Sequence, residues 1–439
     1  MSDGICSRLP GRIVLAFLAL SLCGCATYSQ QATSMRDNLL TGRADLARIT
    51  AEEKDVDEDD VLACLNTGML RRMPDDYVGS NQILEIAKQR MEALYGVSIT
   101  DSALSVTIND AVRDYKGDRY EQVLLHAYMA MNYLQLGKLD SARVEMLQAD
   151  VKMMEWGEQP EEDPFVRYFA GMIYEALGED DQALVSYRKA RDTYIATHDR
   201  QMLEVPLMLK KDLLRMLAGQ ALWDEYRTLK SEFGLTDFKP VKPSEDFGEL
   251  IVVLNNGLAP IRTEAAIMTY SAEIQSNVRV AFPVYEKESS PAKRSRLKIG
   301  GRHIDLETVE NIDSLARHAL DDDMPLVMTR AIARAVVKYQ TQTQAQEQHA
   351  LAGFLLTVTN LATERADTRS WTTLPKEIQI ARVVLPVGTH DVSIEIVNAA
   401  GRVVDVVDAS VNIAPMQHSF ITRHWVAPVP AKAAVATSK

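Results

Sequence analysis

The hydrophobic pattern changes period along the chain, and each change marks a unit. Ile13 to Leu22 is a short, mostly apolar run behind Arg8 and Arg12, and residues 25–60 are polar, ending in the acidic run Glu52 to Asp60. From 61 to 235 apolar residues recur at three- and four-residue intervals, the spacing of one face of a helix. Residues 236–247, with Pro240 and Pro243, break that pattern and read as a linker. Beyond it, apolar runs between turn residues predict strands over Gly248–Leu254, Asn277–Tyr285, Arg296–Ile304, Glu377–Leu385, His390–Val397, Arg402–Ile413 and Ser419–Trp425. A helical insertion interrupts them at 306–364 within an α+β unit spanning 248–425, and residues 426–439, rich in Ala, Pro and Val, read as a disordered tail.

The helical region repeats itself. Ala130, Tyr133, Gly137, Leu139, Ala142, Met146 and Ala149 are followed 41 residues later by Gly171, Tyr174, Gly178, Asp180, Ala183, Tyr187 and Ala190. This is tetratricopeptide-like (TPR-like) spacing: small residues let two antiparallel helices approach, a tyrosine fills the gap, and a glycine turns the corner. A weaker copy carries Gly68, Tyr77, Ser80, Leu84 and Ala87, with Asp75 in place of the turn glycine; a fourth helix pair spans about Pro206 to Phe233. The expected fold is multidomain α + (α+β): an N-terminal TPR-like α-solenoid, then a β-sandwich-like domain with a helical insertion. In such an array the first helix of each pair lines a concave groove, which places Leu124, Met131, Leu134, Phe165, Tyr168 and Met172 in a partner-binding surface, unless the same residues pack against flanking helices or the second domain.

Charge and cysteine usage narrow the partners. Lys and Arg number 48 against 61 Asp and Glu, net −13, which opposes nucleic-acid binding by the surface as a whole. Three of the four cysteines, Cys6, Cys23 and Cys25, lie in the first 25 residues, so there is no disulfide framework, and Cys64 is expected inside a helix core. Residues 1–24 read as a secretory signal: ten residues of helix reach about 15 Å, too short to span a bilayer.

The run Leu22-Cys23-Gly24-Cys25 resembles a bacterial lipobox, which implies lipidation at Cys25, an acidic tether over 25–60 and a body held on a membrane by its acyl chains. Ala26, where an aspartate would mark retention in the inner membrane, implies a periplasm-facing location at the outer membrane. The chain further resembles a family of uncharacterised TPR-containing lipoproteins of Gram-negative bacteria. The resemblance rests on Ile108-Asn109-Asp110, Tyr115-Lys116-Gly117-Asp118-Arg119-Tyr120-Glu121, Asn132-Tyr133-Leu134-Gln135-Leu136-Gly137, Ala366-Asp367-Thr368-Arg369-Ser370-Trp371 and Leu374-Pro375. It brings no enzymatic activity with it, and implies a setting in envelope assembly or peptidoglycan synthesis.

No zinc-protease, phosphate-loop, esterase-elbow or Cys-x-x-Cys signature occurs, and the histidines show no i, i+4 pair, so neither catalytic residues, a metal site nor a cofactor is expected. Asp55, Asp57 and Asp59 resemble a calcium loop only loosely, because Asp60 stands where glycine is needed. Arg330, Arg334 and Lys338 share a helical face and form a possible anion-binding stripe for an acidic partner or peptidoglycan. The expected function is therefore that of a membrane-tethered protein-interaction scaffold, with a glycan-binding module and a motif-free cell-wall enzyme as alternatives.

Overall fold

The computed structural model describes residues 32–52, 59–98, 114–156, 162–241, 244–272, 275–286, 294–348 and 365–426. Cys25, its leading segment, the apolar run 350–362 and most of the predicted tail lie outside these residues. The helical half begins with α1 (32–40) and α2 (Ala44–Glu52). Four helix pairs follow: α3 (Val61–Arg72) with α4 (Tyr77–Ser98), α5 (Arg119–Gln135) with α6 (Leu139–Glu155), α7 (Pro164–Ala176) with α8 (Asp180–Ala196), and, after the short α9 (His198–Gln201), α10 (Leu207–Gly219) with α11 (Trp223–Glu232).

All four pairs turn in the same way. Asp75, Gly137, Gly178 and Ala221 hold positive φ of 67°, 67°, 75° and 57°. The next amide in each case bonds the carbonyl five residues back: Asp76 to Arg71, Lys138 to Tyr133, Glu179 to Tyr174 and Leu222 to Leu217, at 2.8–3.1 Å. This left-handed cap satisfies the orphan carbonyls of the first helix and reverses the chain. Helices then close where the sequence is small: a Cβ on Gly171 would stand 2.4 Å from the Tyr187 ring, and one on Gly68 would stand 2.5 Å from Leu84.

Among the described residues the β half holds ten strands: β1 (Phe247–Asn256), β2 (Arg262–Ser271), β3 (Ser276–Tyr285), β4 (Arg294–Ile299), β5 (Arg302–Asp305), β6 (Glu307–Asn311), β7 (Glu377–Pro386), β8 (Gly388–Val397), β9 (Val403–Ile413) and β10 (His418–Trp425), with α12 (Ile312–Gln348) between β6 and β7. One sheet runs β10-β1-β7-β6, a second runs β5-β4-β8-β9, and β2-β3 is a separate hairpin. Leu250, Val252 and Leu254 of β1 and Val383 and Leu385 of β7 face Leu297 of β4 and Val392, Ile394 and Ile396 of β8, so the two larger sheets pack as a sandwich. The alternate residues Ile251, Val253, Ile378 and Ile380 join the core of the helical half. The first sheet is thus covered on both faces, the reason β1 reads as a continuous apolar run rather than an alternating one.

Four expectations change. The polar stretch 25–60 is no simple tether in its described part: Met35 and Leu39, one helical turn apart, and Ala47 are buried with Leu70 and Leu258, while Arg36 donates to the Ala259 carbonyl at 2.8 Å. The strand expected over Arg296–Ile304 is a hairpin, β4 and β5, reversed at Gly300 and Gly301, both at positive φ. The insertion begins with strand β6 before its helix. Strand β2 escaped the pattern because its exposed apolar residues do not alternate. Among the described residues no helix is long and apolar enough to cross a membrane.

Candidate functional site

The groove positions of α5 and α7 are core positions. Leu124, Met131, Phe165, Tyr168 and Met172 are fully buried and Leu134 is 8% exposed. They belong to one apolar cluster with Ile251, Val253, Ile378, Ile380, Trp371 and Leu374 from the β half. An open partner-binding groove is therefore corrected to a filled one. The first sheet carries apolar side chains on both faces, and the concave surface of the helices is the cover its second face requires.

The Asp367-to-Trp371 string fastens this contact. The Trp371 amide donates to Glu121 Oε1 at 2.8 Å, its ring meets Tyr128 edge-on at 5.8 Å, and its Nε1 donates to Thr373 at 3.0 Å. The Thr373 hydroxyl donates to Asn66 at 2.9 Å, and Arg369, held by Asp367 at 2.9 Å, lies 5.5 Å over the Tyr115 ring. Glu121 is the third residue of α5 and reaches back to the Asp118 amide at 2.9 Å, closing a capping box while it accepts from Tyr115. Burial, with the charge of Asp118 beside it, pushes the Glu121 carboxyl up to about 7.

Beside this pin lies a buried set of charges drawn from both halves. Arg382 of β7 donates to Asp212 of α10 at 2.7 Å, to Glu175 of α7 at 3.2 Å and to Glu249 of β1. Arg215 of α10 forks onto Glu175 and reaches Asp212 at 3.1 Å. Tyr168 donates to Asp212 at 2.6 Å and Tyr187 to Glu175 at 2.7 Å. His418 of β10 sits opposite Glu249 in the parallel register, its Nε2 3.0 Å from Glu249 Oε2.

Burial alone would neutralise these acids. At Glu249 the opposing Arg382 and the His418 contact outweigh burial and hold the carboxyl at about 2; Glu175 is likewise held well below its usual range. At Asp212 burial prevails and the carboxyl is raised. His418 is raised because Glu175 and Glu249 more than offset its burial, which favours its protonated form beside those carboxylates.

Glu175, Glu249 and His418 place ligand atoms within 4.8 Å of one another, a donor set chemically suited to a divalent cation. Both carboxylates are already bonded to guanidiniums, however, and an ion there would sit against two fixed positive charges. The set does not fit a metal; it is a joint between the halves.

A second joint is a carboxyl pair. Asp163 caps α7, accepting from the Val166 amide at 2.8 Å ahead of Pro164 at the first helical position. Glu310 of β6, fully buried beside a bulge, sets a second carboxyl beside it, and neither of its oxygens has a hydrogen-bond partner. Burial pushes Asp163 up to about 6 and Glu310 well above the carboxylate range.

The remaining candidates disperse. Arg334 is buried and Arg330 half-buried, because α12 lays Ala331 against Val278 and Val280 of β3; the side chain of Lys338 lies outside the described residues. Arg330 and Arg334 therefore do not form an exposed cationic face. Asp60 caps α3 through the Leu62 and Ala63 amides, while Asp55 and Asp57 of the loosely calcium-like run lie outside the described residues. Cys64 is a buried free thiol, as expected of a helix core. What the sequence reading missed is on the outer helices: Val144, Leu147, Val151 and Met154 of α6, spaced three, four and three residues apart, are all exposed, Met154 by 65%. Val144 and Met154 recur 41 residues later as Val185 and Ile195 of α8, again exposed. The spacing is legible in the sequence, but not that it faces outward.

No protein family and no curated protein matches the chain. Among solved structures, the chain is similar to kinesin-light-chain TPR-like repeats from Podosopora anserina, at 11% identity and a TM-score of 0.35, covering 48% of this chain and 96% of that one. It is also similar to a MamA protein at 13% identity and a TM-score of 0.30, covering 48% and 99%.

Proposed function

We propose that this protein is a non-catalytic interaction scaffold, tethered through a lipidated Cys25 to the periplasmic face of the outer membrane, that docks an envelope protein on the outer helices of its array. The observation that carries the reading is the Val144, Leu147, Val151 and Met154 stripe. It spans less than a third of the helix circumference over three turns, the arrangement that lets one helix face seat a partner. Its recurrence at Val185 and Ile195 extends the surface over two helix pairs. The filled inner groove supports the choice of the outer face, since Tyr168 cannot be reached without separating the halves. Tethering adds to this by raising the local concentration of partners on the same membrane.

The test is photocrosslinking in cells from position 151, with position 168 as the buried control and mass spectrometry of the mature N-terminus. One dominant protein adduct from 151, none from 168 and a diacylated Cys25 are expected. Adducts from 168 but not 151 would return the function to the groove, and an unmodified N-terminus would remove the tether.

A further inference from the structure

Strand β2 pairs with β3 along its whole length, Arg262 opposite Tyr285 through Ser271 opposite Ser276. Its other edge has no strand partner among the described residues. An edge of ten residues leaves a row of backbone donors and acceptors facing outward, a template for another strand unless it is guarded.

The molecule guards its other edges. β5 is only four residues long, and β9 carries Asp405 and Asp408. β6 is short, bulged and overlaid by Tyr194, which donates to the Val309 carbonyl at 2.6 Å. β10 is covered by α5, Gln135 donating to the Phe420 carbonyl at 3.0 Å, and β3 contains Pro283, which removes a donor. β2 has no proline, lysine or bulge, and it exposes Ile267, Met268 by 67% and Tyr270 by 63%.

We propose that β2 pairs antiparallel with β2 of a second copy, joining two hairpins into a four-stranded sheet across a twofold axis. The strand is self-complementary. An axis through Met268 sets it opposite its own copy, Ile267 opposite Thr269 and Ala266 opposite Tyr270, small against large. No like charges meet, since Glu264 falls opposite Ala272, just past the end of the strand. The charged residues of β2 are also spent within the chain: Glu264 bonds Arg279 at 2.7 Å and the Ala366 amide at 2.9 Å, and Arg262 bonds Tyr285 at 2.8 Å and pairs with Asp118. An acidic or basic partner strand would therefore find nothing to complement, whereas the uncharged stretch 265–270 fits its own copy. The Arg262 contacts pin the base of the hairpin to the start of α5 and so hold the edge in place for pairing.

The test is sedimentation velocity of the full chain, parent and Met268→Lys, with amide hydrogen exchange of the parent read against protein concentration. The parent is expected at twice the 48.9 kDa chain mass, and Met268→Lys at one chain with an unchanged circular dichroism spectrum. Exchange over 265–270 should slow as concentration rises, a readout that needs no variant. A parent that stays monomeric, a dimer that survives both Met268→Lys and Tyr270→Lys, or exchange at 265–270 indifferent to concentration overturns the proposal. So does a monomer that binds phospholipid vesicles through the same residues.

Discussion

Arg382 Nη1 lies 2.7 Å from Asp212 Oδ2, a buried ion pair that joins strand β7 to helix α10 across 170 residues of sequence. Its partners Glu175 and Glu249 share the same guanidinium. Arg382→Leu leaves three carboxylates facing one arginine and one histidine in a dry interface. Removing one partner of such a set costs about 3–5 kcal/mol, far more than an exposed pair. Urea unfolding of the variant should show that loss; a change within about 0.5 kcal/mol would mean water reaches the cluster.

The same interface should loosen as pH rises. Glu121 moves from 4.5 to about 7 and Asp163 from 3.8 to about 6, both raised, so their contributions are complete below the unfolded values and are lost as pH climbs through the folded ones. Glu310 and His418 are also raised and act in the same direction. Glu249, depressed from 4.5 to about 2, contributes above 4.5 and is lost only in strong acid. The Glu121 shift alone corresponds to about 3 kcal/mol. The urea midpoint should therefore be higher at pH 5.5 than at pH 8, and Glu310→Gln, which cannot ionise, should flatten that slope. A midpoint rising with pH would contradict the assignment.

Gly171→Ala places a methyl group 2.4 Å from the Tyr187 ring, whose hydroxyl is held by Glu175 and which therefore cannot swing aside freely. Overpacking of this kind costs about 1–3 kcal/mol. The melting temperature should fall, and Gly171→Ala combined with Tyr187→Phe, which frees the ring from its hydrogen bond, should recover part of the overpacking loss in a double-mutant cycle.

Ala221 occupies the left-handed corner that Gly137 and Gly178 fill elsewhere. A non-glycine residue pays about 1–2 kcal/mol for that conformation. Ala221→Gly should accordingly stabilise the chain by about 1 kcal/mol in thermal or urea unfolding. A destabilised variant would show that the methyl group contributes packing that outweighs its backbone strain.

What this chain discloses in its sequence and what it hides divide along the range of the forces involved. The corners at Gly137 and Gly178 and at Asp75 in place of glycine were legible, because a helix cap is decided by a few neighbouring residues; the corner at Ala221 was not, since alanine carries no turn signal. Strand β1 was legible as an apolar run. The helices at 32–52 were not, since Met35, Leu39 and Ala47 carry a thin apolar stripe through a polar stretch. Arg330 and Arg334 share a helical face as their spacing requires, yet periodicity gives no sign of which side of α12 meets β3.

Local periodicity and turn chemistry thus determined by themselves that this chain forms paired helices followed by strands, because those signals act within a turn or two of backbone. The groove was decided elsewhere. Tyr168, Met172 and Phe165 are equally suited to a ligand surface or a core, and the choice fell to Trp371 and the second face of β1, residues far away in sequence. Tertiary structure alone determined this: burying an apolar face lowers the free energy whatever covers it, so only the docking of the two halves shows what does.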